Sequence, residues 1–173
     1  MSIINTVVKD PAANSYITAA QAASYLTLNR LYATSFVSLP VSDQEALCIW
    51  ATRLIDTCFE FVGIPRTLTQ NLRWPRSGAR KPDGYWYDYD AIPEPLKFAV
   101  AELAFWLSKR DRTAEPDILG YGLESIKVGS LDLKVSAEQV ISLIPREIAA
   151  MLQWLGSVTG PDEGGQTIDL VRS

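Results

Sequence analysis

The sequence predicts a mainly α-helical fold: a small bundle of about four helices with one β-hairpin, a long central loop and an extended C-terminal tail. Three observations carry that expectation. Four stretches repeat apolar residues at helical spacing, and each opens on a capping pair or a proline. Ile126 and Val128, then Leu131, Leu133 and Val135, alternate with polar residues on either side of Gly129-Ser130, the pattern of a hairpin. Residues 64–92 show little periodicity, and a loop of that length in a compact domain is often functional.

In chain order, residues 7–13 read as an irregular arm and Asn14 to Ile17 as an extended lead-in. Thr18 and Gln21 form a capping box, a hydroxyl at the cap and an amide three residues on. The helix it starts carries Ala22, Tyr25, Leu26 and Leu28 and fades before Ser35. Ser42-Asp43-Gln44-Glu45 reads as a second box, with two acids in the electropositive first turn. That helix is expected to reach Phe61 or Val62, with Gly63 just past its end. A third helix opens at Pro93 or Pro95, runs through Leu107 and closes on Lys109, Arg110 and Arg112, which suit its negative end. The hairpin is expected at about 123–135. Pro145 starts a fourth helix, with Ile148, Met151, Leu152 and Leu155 on one face and Gly156 as its stop. Residues 1–156 then form the helical domain, and 157–173 a docking tail.

Composition narrows the function. A chain of 173 residues can bury roughly 70% of its unfolded surface in one domain. Sixteen Lys and Arg against twenty Asp and Glu leave a net charge of −4, which excludes a histone-like or polybasic protein. With 47% apolar residues, disorder over most of the length is excluded too. There is no histidine, so Ser-His-Asp and Cys-His catalysis and every histidine-containing metal site are absent. Cys48 and Cys58 lie ten residues apart on one expected helix, separated by about 15 Å of rise, so they cannot pair within the chain. They read as small buried hydrophobes in a reducing compartment. Met1 to Asp10 lacks the pattern of a signal peptide. The sparsely charged residues 11–42 are too polar to span a bilayer, so no membrane partner is expected.

The residues offer little chemistry for an enzyme, and neither cofactor nor metal is expected. No glycine-rich loop joins a strand to a helix. Asp88 and Asp90 read as solvated loop acids, and Asp162 and Glu163 as tail charges. Glu102, the lone charge within 98–107, is expected to pair with a base such as Arg53. The run Arg73-Trp74-Pro75-Arg76-Ser77-Gly78-Ala79-Arg80-Lys81 leaves two readings open. Bases could stack on Trp74 while Arg76 and Arg80 meet phosphates, or Trp74 could anchor the loop on the core or a neighbouring subunit. Residues 64–92 hold five bases and three acids, hence +2, while the remainder is −6; this asymmetry suits contact between copies as well as it suits DNA. Two helices are apolar around most of their circumference. Trp50, Phe59, Phe105 and Trp106 therefore supply surplus apolar surface, some for the core and some for an oligomer contact.

The order Ala51-Thr52-Arg53-Leu54-Ile55-Asp56, Phe61-Val62-Gly63, Leu72-Arg73-Trp74-Pro75-Arg76-Ser77-Gly78, Asp83-Gly84, Ile92-Pro93, Glu102-Leu103-Ala104 and the Val128-Gly129 hairpin resembles a family. It is similar to the head-tail adaptor, or head-completion, proteins of tailed bacteriophages, some of which carry the label "DnaT-like single-stranded DNA-binding protein". The similarity covers about residues 14–136. The resemblance implies a non-enzymatic virion protein, assembled in the host cytoplasm, that forms a homo-oligomeric ring, usually of twelve copies, below the portal. Such a ring extends the channel for double-stranded DNA, without sequence-specific binding, and receives a downstream neck or tail protein. Its subunit contacts would use the second and third helices and the 64–92 loop. Its lumen would be acidic or mixed, because a basic one would hold the passing DNA. Ile168, Leu170 and Val171 would dock on the portal or a neighbouring copy. The label implies the competing function, single-stranded DNA binding through Arg73, Trp74, Arg76, Arg80 and Lys81.

Overall fold

The computed structural model describes residues 2–111, 113, 125–128, 131–134 and 143–159, the strands within 125–134 by their backbone alone. Five helices lie among these residues: α1 (Ala19–Asn29), α2 (Thr34–Val37), α3 (Val41–Cys58), α4 (Glu94–Lys109) and α5 (Arg146–Leu152). Six short strands pair antiparallel in twos. β1 (Phe59–Phe61) pairs with β6 (Gly156–Val158), β2 (Ile64–Pro65) with β3 (Arg76–Ser77), and β4 (Ser125–Val128) with β5 (Leu131–Lys134). The mainly helical class and the hairpin match the expectation.

α4 is the hub, packed against α1, α2, α3 and α5. Its Leu96, Val100, Leu103, Ala104, Phe105 and Leu107 are all buried. Most of the apolar girth of this helix is thus covered within one chain, while Phe98 and Trp106 remain half-buried. Pro93 caps α4 and Pro95 lies in its first turn, where a missing N–H costs nothing. α1 carries the expected capping box: Thr18 Oγ1 accepts from Gln21 N at 3.2 Å, and Gln21 Oε1 accepts from Thr18 N at 3.1 Å.

The second capping box does not form. α3 begins at Val41 with Pro40 as its cap and no capping side chain. Gln44 instead donates from Nε2 to the carbonyls of Val37 and Leu39, closing the end of α2. Glu45 accepts from Ser2 Oγ and Ile3 N, at 2.5 and 3.0 Å, holding the N-terminal arm against the helix.

α3 also ends earlier than expected. After Cys58 the chain turns extended, because Phe59, Glu60 and Phe61 find backbone partners in Val158, Ser157 and Gly156. The same pairing moves the start of any tail: residues 157 and 158 belong to the sheet. Cys48 and Cys58 both lie on α3 and are free thiols, as their spacing requires. No helix among the described residues is long and apolar enough to cross a membrane. Residues 160–173, with Ile168, Leu170 and Val171, lie outside the described residues.

Candidate nucleic-acid interface

The 64–92 segment is laid on the bundle in two pieces. The first is clamped by β2 and β3. Trp74 is 1% exposed, edge-on to Phe61 and Tyr87 at ring separations of 6.0 and 6.3 Å. Its backbone N–H donates to Tyr16 Oη at 3.1 Å, and Tyr16 Oη donates to Asp56 Oδ1 at 2.6 Å. Asp56 Oδ2 accepts from Arg73 N at 3.1 Å. Burial pushes the Asp56 carboxyl up to about 6, against the lowering effect of the Tyr16 and Arg73 hydrogen bonds. Burial, then the neighbouring Asp56, raises Tyr16 well above the usual phenol value, so it stays protonated and donating.

The arginines of this piece face backbone. Arg73 Nη1 donates to Phe59 O at 3.3 Å. Arg76 donates from Nε to Val62 O at 2.9 Å and from Nη2 to Gly63 O at 2.5 Å. Of the two readings left open by the sequence, the structure gives the anchor for Trp74: its ring is enclosed and offers no face to a base. The reading in which bases stack on Trp74 falls with that enclosure.

The second piece is a small hairpin within a segment that shows little periodicity. Tyr87 N donates to Ala79 O at 3.1 Å, Arg80 and Trp86 bridge antiparallel, and Lys81 N donates to Tyr85 O at 2.7 Å. Its turn is Lys81-Pro82-Asp83-Gly84, closed by Gly84 N to Lys81 O at 3.0 Å, with Gly84 at φ +88°. Proline followed by Asp-Gly is the sequence signal that could have located it. The hairpin presents what Trp74 does not. Tyr85 is 73% exposed, Trp86 58% and, just beyond, Tyr89 51%. Cations lie over two of these rings, Arg80 at 4.3 Å from the centre of Trp86 and Arg66 at 4.7 Å from that of Tyr89, and Lys81 lies 5.7 Å from the half-buried Tyr87. Asp90 bonds Lys9 at 2.5 Å and Arg66 at 3.1 Å, and both cations draw its carboxyl below the usual value. Arg80 and Lys81 of the expected contact loop are therefore on this surface, while Arg73 and Arg76 are tied to carbonyls. Tyr85, Trp86, Tyr89 and Arg66 join them.

The remaining candidates divide. Phe59 and Phe105 are core, and Trp50 and Trp106 pack half-buried against it. Glu102 is buried, but its partner is Arg30, not Arg53: Arg30 Nη2 lies 2.5 Å and Nε 2.7 Å from Glu102 Oε2. Arg30 also reaches Glu147 at 3.2 Å and lies over the Phe105 and Trp106 rings. Arg53 is exposed on α3. The described residues contain no cluster of acids and cysteines able to hold a metal.

Fold and surface together define a helical domain that carries a clamped loop and an exposed aromatic-cationic hairpin. Across residues 1–173 the chain matches the model of the family described as "Putative DnaT-like ssDNA binding protein", and it belongs to that family. No curated protein and no solved structure matches it.

Proposed function

We propose that the protein binds single-stranded DNA through the 79–89 hairpin. The observation that carries this is the row of exposed rings, Tyr85, Trp86 and Tyr89, interleaved with Arg80, Lys81 and Arg66. Rings stack bases without regard to sequence, and the cations meet phosphates. The family description supports the same reading. The test is fluorescence anisotropy of a labelled single strand. Trp86→Ala with Arg80→Ala should weaken binding at least tenfold, since each stacked base contributes about 1–3 kcal/mol. Wild-type affinity should fall steeply with salt. A wild-type chain that leaves the strand free at low salt would sink the proposal.

A second reading is the ring-forming neck adaptor, bound to a portal and to a downstream tail protein, with an acidic or mixed lumen. One observation favours it: Leu28 in the last turn of α1 and Leu31 and Tyr32 just after the helix are all largely exposed. An exposed apolar stretch of this kind is a common mark of a protein contact. Native mass spectrometry of the chain, alone and on portal complexes, tests this reading. A chain that stays monomeric and never joins a portal removes it.

A further inference from the structure

Beside the exposed rings lies a cavity of about 490 Å³, open to solvent, between the hairpin turn and the start of α4. Its walls are Pro82, Pro93 and Pro95 with Tyr87, and Lys81 stands at the side it shares with the hairpin. Flat, apolar walls and this volume suit a planar heterocycle. Beside Lys81, the charged groups of the lining are three acids. Asp83, Asp88 and Glu94 line the cavity. Glu94 is paired with Lys97 at 2.7 Å, whereas Asp83 and Asp88 meet no cation within ion-pair distance among the described residues. An ionised carboxylate only accepts hydrogen bonds. It therefore selects for ligands that present N–H groups, and the excess of negative charge keeps phosphate out of the cavity.

We propose that this cavity receives one unstacked base of the bound strand and selects bases that carry an exocyclic amine. Guanine fits best, because its adjacent ring N–H and amine can both donate to one carboxylate. Cytosine and adenine offer the amine alone. Thymine offers a single N–H flanked by two carbonyl oxygens, which a carboxylate repels. The phosphates on either side of the inserted base remain outside, where Lys81 and Arg80 lie. The inference rests on the DNA-binding reading above and adds to it a base preference that stacking alone does not give.

The experiment uses the full chain and oligo(dT) strands that differ at one central position: thymine, guanine, cytosine, adenine or inosine. The guanine strand should bind at least about fivefold tighter than all-thymine, as expected for a hydrogen bond to a charged group. Inosine, which lacks only the exocyclic amine, should lose much of that gain. Asp83→Asn with Asp88→Asn should erase the ratio between strands, even if overall affinity rises through the loss of two negative charges. Both side chains are exposed, and asparagine keeps the Oδ1 that accepts from Tyr85 N at position 83 and from Asp90 N at position 88, so the fold is retained. Equal binding of all strands overturns the base pocket and leaves the DNA-binding reading intact. No binding of any strand removes both. If the double variant instead alters self-association while the strand ratio stays unchanged, the cavity takes a cationic side chain of another copy, and the inference falls.

Discussion

Tyr16 Oη stands 2.6 Å from Asp56 Oδ1, and through this bond the lead-in to α1 holds the helix from which the clamped loop hangs. The same hydroxyl accepts from the backbone of Trp74. One phenol thus satisfies a half-buried acceptor and a buried donor. Tyr16→Phe should cost about 1–3 kcal/mol, the usual penalty for stranding a buried polar partner. Chemical denaturation would measure it. An unchanged midpoint would mean that water replaces the hydroxyl.

Asp56 also gives stability a pH signature. Its carboxyl is raised from 3.8 to about 6 in the folded chain. Between these values the folded state holds the proton more tightly than the unfolded state. The contribution of Asp56 is thus most favourable below about pH 4 and declines as pH rises to 6. The full difference is at most about 3 kcal/mol. Asp56→Asn cannot titrate and should flatten the stability profile across that window. Parallel profiles for wild type and variant would contradict the assignment.

The Arg30–Glu102 pair joins residues 72 positions apart and sits at the junction of α1, α4 and α5. Glu102 is buried, whereas the Arg30 side chain is 30% exposed. Arg30→Met leaves the carboxylate without its cation and should cost roughly 3 kcal/mol, the low end for a broken buried pair. Adding Glu102→Leu should recover much of that loss, because an apolar pair of similar volume often serves as well. A double variant weaker than the single one would show that the charge itself is needed.

These relationships mark the limit of what the sequence discloses. Local signals were legible. Thr18 and Gln21 cap each other within one turn, and Pro93 and Pro145 fix helix starts through their own rings. The Ser42 box had an equally good local pattern and lost, because Gln44 and Glu45 bind groups of α2 and the N-terminal arm. Phe59 to Phe61 read as helix because their strand partner lies almost a hundred residues away. Arg53 was the nearer candidate for Glu102 along α3, but the α1–α4 contact brings Arg30 there instead. At the candidate site the composition of the loop was legible, whereas which ring is enclosed and which is free depends on Phe61 and Tyr16, outside the loop.

Trp74 and Trp86 separate stability from binding. Trp74→Ala removes a fully enclosed ring and should cost about 3–5 kcal/mol, visible as a large fall in melting temperature. Trp86→Ala removes a ring that is 58% exposed and should leave the melting temperature nearly unchanged while weakening strand binding. A Trp86 variant that melts early, or a Trp74 variant that folds normally but releases DNA, would reverse the assignment of the two rings.

Two glycines with nearly the same backbone angle test what clamps the loop. Gly63 has φ +78° and Gly84 φ +88°, so a side chain strains both by about 1–2 kcal/mol. Their surroundings differ. A Cβ on Gly84 meets nothing within 4 Å, whereas a Cβ on Gly63 would lie 2.0 Å from the carbonyl oxygen of Ser77. That oxygen belongs to β3, and Arg76 beside it donates to the carbonyl of Gly63 itself. Gly84→Ala should therefore lose only the backbone term. Gly63→Ala must also push β3 away from β2 and free the Arg76 guanidinium. Its loss of stability should exceed that of Gly84→Ala by more than 1 kcal/mol, a margin set by backbone displacement beyond the shared strain. Hydrogen exchange should show the amide of Arg66, which donates to Pro75 O, opening faster in the Gly63 variant alone. Equal losses in the two variants would mean that the β2–β3 clamp yields without cost, and that the loop is held by Trp74 and Tyr16 instead.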